Sequence, residues 1–331
     1  MSYEKTEAIY QNALLSAASY IHFVESVHYS SDGIILEAAK LDFTDRGFTE
    51  KQFIEFQRNY KIVDHMPNEQ VGLSVTLFEN RDTGQRTIAF RGTEDPAQSP
   101  IWDSIPDLIS DGILALGLGE ITQSLGQAQA IKSFLQTNEM LDSNGDIVPT
   151  YAGDVNITGH SLGGHLTLMT AYDYPGFIDE VYTYNGAGLS LFDSFYNDFL
   201  LPLISDQSAQ NRALIDAATT NVYAEPGYEV TRSELWFNRV GTSLPLFIEK
   251  QGGDASAGNH SMQYLVDALS VHRILALLGD SNELILEQAD SILWQVANRE
   301  VEKSETDGTP KGNTEETATS LNAIMAHLSN M

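Results

Sequence analysis

Apolar and polar positions change period along the chain, and each change marks a different kind of element. From Tyr3 to Val24 alanine and leucine recur at helical spacing. Thr49 and Gln52 fit a capping box ahead of Phe53, Phe56 and Tyr60, so the first ~65 residues read as helical, interrupted by a turn signal at 30–33 (SSDG). From Gly72 to Glu79 the pattern alternates and is rich in β-formers. A turn at 80–85 (NRDTGQ) and a short apolar run, Thr87–Phe90, follow. Together they predict two paired strands joined by a tight turn. Glu120–Thr137 reads as a helix, and VNIT at 155–158 as a strand that runs directly into a turn and a second helix. Further short strands are expected at 180–185 (EVYTYN) and 219–224 (TTNVYA), and a hairpin or extended region at 232–250. Asn259 opens a long amphipathic helix with Met262, Leu265, Val266 and Leu269 on one face.

Strands that alternate with helices from about 70 to 275 indicate an α/β fold: a mostly parallel sheet flanked by helices, with a helical N-terminal segment. The expected organisation is one catalytic-type domain over 1–300, its core at about 70–280, followed by a polar linker and a short end helix over 301–331. Segment 302–318 has few apolar residues and reads as a linker. No stretch approaches the ~18 consecutive apolar residues of a membrane span, and the polar start MSYEKT leads to the expectation of no N-terminal signal peptide.

Composition narrows the chemistry. The 331 residues include 46 acidic and 18 basic side chains, a formal charge of −28, and no cysteine. A chain this acidic does not hold nucleic-acid phosphates by bulk electrostatics, nor dock electrostatically on anionic lipid; hydrophobic insertion into an interface stays open. Without cysteine there is no thiolate nucleophile, no disulfide frame and no Cys-type zinc site. No D-x-D-x-D-G loop is present, so calcium, although compatible with many carboxylates, has no motif behind it, and no cofactor is expected.

The strongest chemical signal is Gly159-His160-Ser161-Leu162-Gly163, followed by Gly164. This is G-x-S-x-G between a strand and a helix, the context the motif requires. A sharp turn there lifts the serine hydroxyl above the sheet. It also points the N–H of Leu162, at the helix N-terminus, toward a developing oxyanion. The competing reading is a glycine-rich strand-to-helix turn with an incidental serine.

A serine nucleophile needs a base, and histidine serves near neutral pH. Of eight histidines, His22, His28 and His65 precede the serine, and His160 and His165 read as packing residues of the turn and its helix. In this fold class the order is serine, acid, histidine. His327 lies beyond the linker and His272 in a core-like helical stretch (VHRILALL), whereas His260 follows a small, polar segment (GGDASAGN) that can present an imidazole over a sheet edge. His260 is therefore the expected base. The acid should follow the strand at 219–224, where Glu225 leaves directly and Glu229 lies four residues on. Glu225 is preferred, with Glu229 as alternative and Asp254 a weaker option. The second oxyanion donor is expected at Thr93, after the strand that ends Phe90-Arg91-Gly92.

These residues resemble a known family. AFRGT at 89–93, Trp102, Asp107-Leu108 and TGHSLGG at 158–164 are similar to bacterial lipases of the α/β-hydrolase superfamily, in particular class 3 lipases. NVYAEPGYEVT at 221–231, PLFIEKQGG at 245–253 and NHSMQYLVDAL at 259–269 are similar to secreted bacterial phospholipase A1 and related lipases. The resemblance covers about 70–275. It implies carboxylic-ester hydrolysis on lipid, with Ser161 as nucleophile, His260 as base, and Thr93 with Leu162 as oxyanion hole. The class 3 pattern has an aspartate soon after the penultimate strand, where this chain has only glutamates. Segments 94–119 and 189–203, rich in apolar and aromatic side chains, would supply a lid and an acyl-chain wall; ordinary helix packing is the alternative. The expected partner is a lipid or phospholipid interface rather than nucleic acid. Export without an N-terminal signal is the expected location, with the cytoplasm as the alternative. Competing functions on the same frame are a thioesterase, a peptidase or a non-catalytic binding module.

Overall fold

The computed structural model describes residues 2–67, 73–92, 126–190, 206–225, 237–238, 240–247 and 261–278. Three helices come first: α1 (Tyr3–Ala18), α2 (Lys40–Asp45) and α3 (Glu50–Asn59). The Thr49–Gln52 capping box forms in both directions, and Gly33 closes the 30–33 turn with φ +83°. α1 ends at Ala18, short of the expected Val24. The helical reading of the first 65 residues also fails at its end. Tyr60 is extended (φ −127°, ψ 152°) and opens strand β1 (Tyr60–Met66). Phe53 and Phe56 are spaced for a helix, and Tyr60 continues that spacing. What the periodicity could not register is a strand partner: β1 pairs antiparallel with β2 (Val75–Asn80).

β2 pairs antiparallel with β3 (Arg86–Phe90) through the expected turn, with Gly84 at φ +76°. From β3 onward the sheet is parallel. Helix α4 (126–137) follows, then β4 (Val155–His160), α5 (Leu162–Asp173), β5 (Ile178–Tyr184), the short β6 (Leu189–Ser190), α6 (Asp206–Ala218) and β7 (Thr219–Glu225). The chain ends in β8 (Phe237–Asn238), β9 (Thr242–Phe247) and α7 (Met262–Leu278). The main sheet has seven strands in the order β1-β2-β3-β4-β5-β7-β9. β9 is parallel to β7, and β8 pairs with β6 in a separate two-stranded sheet, so residues 237–247 form no hairpin with each other. This is an α/β-hydrolase-type sheet: mixed at one edge, parallel through its centre, and covered on both faces.

Strand alternation sorts side chains to the two faces. Leu77, Ile88 and Phe90 face α4 (Phe134, Leu135), and Val181 faces α5 and α6 (Leu168, Ile215). Phe78, Ala89, Tyr182 and Tyr184 face α1, α3 and α7. Two buried hydrogen bonds fix α1 on the sheet: Thr158 Oγ1 donates to the Asn12 carbonyl (3.2 Å), and Tyr184 Oη to the Ile9 carbonyl (2.5 Å). Arg273 of α7 joins the helices of that face. It pairs with Glu7 (2.5 Å) and Glu55 (2.9 Å) and lies over the Tyr10 ring. The expected apolar stripe of α7 is buried at Met262, Leu265, Val266 and Leu269. No helix among the described residues is long and apolar enough to cross a membrane. The segments read as lid and linker, 94–119 and 302–318, lie outside the described residues.

Candidate active site

Ser161 sits between β4 and α5 with φ 54° and ψ −124°, a conformation that a side chain other than glycine rarely adopts. Strain of this kind costs of order 1–3 kcal/mol and persists only where the surroundings over-determine it. They do so here. The Ser161 N–H donates to the Tyr184 carbonyl (3.1 Å), and the Ser161 carbonyl accepts from Gly164 (3.0 Å) and Ala187 (2.9 Å). The hydroxyl does not cap α5.

Close backbone approach explains the glycines. A Cβ on Gly163 would lie 2.3 Å from the Phe90 carbonyl oxygen, so α5 starts directly beneath the end of β3. A Cβ on Gly92 would meet Tyr20 Oη at 2.5 Å, the His160 carbonyl at 2.6 Å and Ser161 Cβ at 3.1 Å. The end of β3, the serine turn and Tyr20, two residues past α1, therefore converge within one side chain's volume. Leu162, half exposed, is the first residue of α5, and its N–H belongs to the donors a helix leaves without an internal partner.

The sequence-predicted residues divide accordingly. Ser161 and Leu162 occupy the turn, and Gly92 brings the strand end that precedes Thr93 against Ser161. Glu225 is the last residue of β7, on the carboxyl edge shared by Ser161. Thr93, Glu229, Asp254 and His260 lie outside the described residues. His160, His165 and His272 take structural places, as expected. His160 is buried with Nδ1 2.7 Å from Tyr20 Oη, and His165 Nδ1 bonds the Gly188 carbonyl (3.1 Å). His272 is buried in α7, where desolvation and, secondarily, the chain's N-terminal charge lower its pKa to about 4.

Three contributors were not legible in the sequence. Tyr20 reaches His160 across 140 positions, and no local spacing announces that pair. Asn185, at φ 42°, follows β5 beside the serine turn. Arg91 is buried at the end of β3, and burial, with the charges of His22, Arg91 and His28, lowers the His65 pKa to about 4. Among the described residues no group of three or more His, Asp or Glu side chains is arranged to hold a metal ion.

No protein-family profile matches the chain. A lipase of Pseudomonas fluorescens is 34% identical over 104 residues, which is 28% of this chain and 20% of that protein. The chain thus matches only a fifth of that relative's length. Among solved structures, the lipase from Rhizopus microsporus var. chinensis is similar with TM-score 0.43 and 14% identity, over 77% of this chain and 78% of that one. Lip2 lipase from Yarrowia lipolytica gives TM-score 0.42 and 15% identity over 79% and 90%. The Rhizomucor miehei triacylglyceride lipase gives 0.40 and 16% over 75% and 81%. The α/β-hydrolase assignment rests on the sheet order and on the strand–serine turn–helix geometry at Ser161.

Proposed function

We propose that the chain is a serine hydrolase that cleaves carboxylic esters of lipids, as a triacylglycerol lipase or a phospholipase A1. One observation carries this reading: a serine in a strained backbone conformation between β4 and α5, its hydroxyl uncommitted to the helix and the end of β3 packed against it. The local identity to a bacterial lipase and the class 3 motif resemblance support it.

The mechanism is two-step acyl transfer. Ser161 Oγ attacks the ester carbonyl while His260 takes its proton. The N–H groups of Thr93 and Leu162 receive the oxyanion. Glu225, or Glu229 in its place, orients the imidazole and balances its positive charge. His260 then protonates the departing alcohol, and water, deprotonated by the same imidazole, releases the fatty acid from Ser161. The route uses no cofactor. An acidic surface suits such an enzyme, because apolar contact rather than charge docks it on lipid, and self-repulsion keeps it dispersed. The proposed location is outside the cell.

The test is labelling with a serine-directed phosphonate, paired with a hydrolysis panel of p-nitrophenyl esters, triglycerides and phospholipids in which the released fatty-acid position is determined. Modification at Ser161 with release from long-chain lipid is expected. A chain that takes no label is a binding module, and one that cleaves only thioesters or peptides is a different enzyme on the same frame.

A further inference from the structure

Asn185 stands where two parts of the sheet edge must be held together. β5 pairs in register with β4 on one side (Tyr184 with His160) and with β7 on the other (Tyr184 with Val222). One residue later the chain leaves the sheet at Asn185, whose φ of 42° is left-handed and whose side chain is 1% exposed. Asparagine tolerates this backbone better than most residues. Its main-chain N–H still donates to the Val222 carbonyl (2.8 Å), but the strand no longer offers a carbonyl to the next donor of β7. The Asn185 carboxamide supplies it: Oδ1 accepts the Ala224 N–H at 2.9 Å. A side-chain oxygen thus stands in for a ladder carbonyl, and β7 continues in pairing with β9 as far as Glu225 and Phe247.

The same short segment grips the nucleophile. The Tyr184 carbonyl accepts the Ser161 N–H, and the Ala187 N–H donates to the Ser161 carbonyl. Between them Gly186 lies so close to α5 that a Cβ on Gly164 would come within 2.7 Å of its Cα. Residues 184–187 therefore hold the Ser161 peptide on one side and the last turn-out of β7 on the other. Asn185 is the link between those two grips.

We propose that Asn185 is a positioning residue that fixes the carboxyl end of β7, and with it Glu225, relative to Ser161. This deepens the hydrolase reading and rests on it, since Glu225 matters to catalysis only as the acid behind the base. Asn185 touches no reacting atom. Its effect passes through the backbone of Ala224.

The experiment compares Asn185→Gly, which keeps the left-handed backbone and removes the oxygen, with Asn185→Asp, which keeps an oxygen acceptor. Each is assayed in the full chain on a soluble p-nitrophenyl ester, with circular dichroism to confirm folding. For Asn185→Gly, kcat should fall by about 10²-fold, the order expected from a small misplacement of a catalytic group, with KM nearly unchanged. The acid limb of the kcat/KM profile should move to lower pH, because an imidazole that loses its carboxylate becomes less basic. Asn185→Asp should recover most of the rate. In a Glu225→Gln background, Asn185→Gly should add little further loss. Wild-type kcat in folded Asn185→Gly, an unshifted pH profile, or full additivity with Glu225→Gln would each overturn the proposal while leaving Ser161 labelling intact. A wild-type chain that neither takes phosphonate nor cleaves any ester overturns the hydrolase reading and this proposal together.

Discussion

The helical face of the sheet and its carboxyl edge are held by opposite means. Beneath α1, α3 and α7 the structure is built from large apolar side chains. The Phe56 ring lies tilted against Phe43 and edge to face with Phe78, centroids 5.1 and 5.6 Å apart, and Arg273 joins three helices above them. Around Ser161 there is hardly room for a side chain. Gly92, Gly163, Gly164 and Gly186 let backbone touch backbone, and Ser161 and Asn185 adopt left-handed φ values. The first region derives stability from area removed from water. The second consumes part of that stability to keep a strained serine in place. Stability and chemistry should therefore respond to different substitutions.

The comparison is sharpened most by Ser161→Ala. Turnover should fall by roughly 10³–10⁶-fold, with thermal unfolding little changed, because alanine keeps the Cβ and so the same backbone strain; hydrolysis of a p-nitrophenyl ester and a melting curve read both. The converse is Phe56→Ala, fully buried in the helical face. It should cost ~3–5 kcal/mol in denaturant unfolding and leave kcat per folded molecule near wild type. A comparable loss of kcat would mean that the two regions are not separable.

Acid should act on the body before it acts on the strained turn. His65 and His272 have folded pKa values near 4, against 6.5 unfolded, because burial disfavours the imidazolium. Between pH 6.5 and 4 the unfolded chain binds protons that the folded chain does not, so their contribution to stability is present above pH 6.5 and lost as pH falls toward 4. Urea unfolding at pH 7 and 4.5 should show the loss, and His272→Leu should flatten it.

Two smaller effects remain. Tyr20→Phe removes the hydroxyl bonded to His160, one residue before Ser161; kcat should drop about tenfold, the size of one hydrogen bond, with little change in melting temperature. Asp267 of α7 is buried, and desolvation, opposed by a hydrogen bond from Gln52, raises its pKa to about 6. Its ionisation therefore weakens the fold as pH rises from 3.8 through 6. Asp267→Asn should raise the melting temperature slightly at pH 7 and not at pH 4.

Much of the molecule was written locally. The Thr49 cap, the turns at Gly33 and Gly84, strands β2 to β5 and β7, and the apolar stripe of α7 all follow from spacing and turn chemistry within a few residues. So did the serine turn, because G-x-S-x-G states both the residue and the backbone that must carry it. β1 escaped that reading, since a strand is made by its neighbour, and Tyr60 continues the helical spacing of α3 until β2 claims it. Tyr20 and Asn185 escaped for the same reason: their partners, His160 and Ala224, are 140 and 39 positions away. Short-range sterics and periodicity thus determined most of the elements and the serine turn. Only the tertiary structure decided which elements adjoin, because long-range pairing and backbone contact depend on the packed sheet and leave no period in the chain.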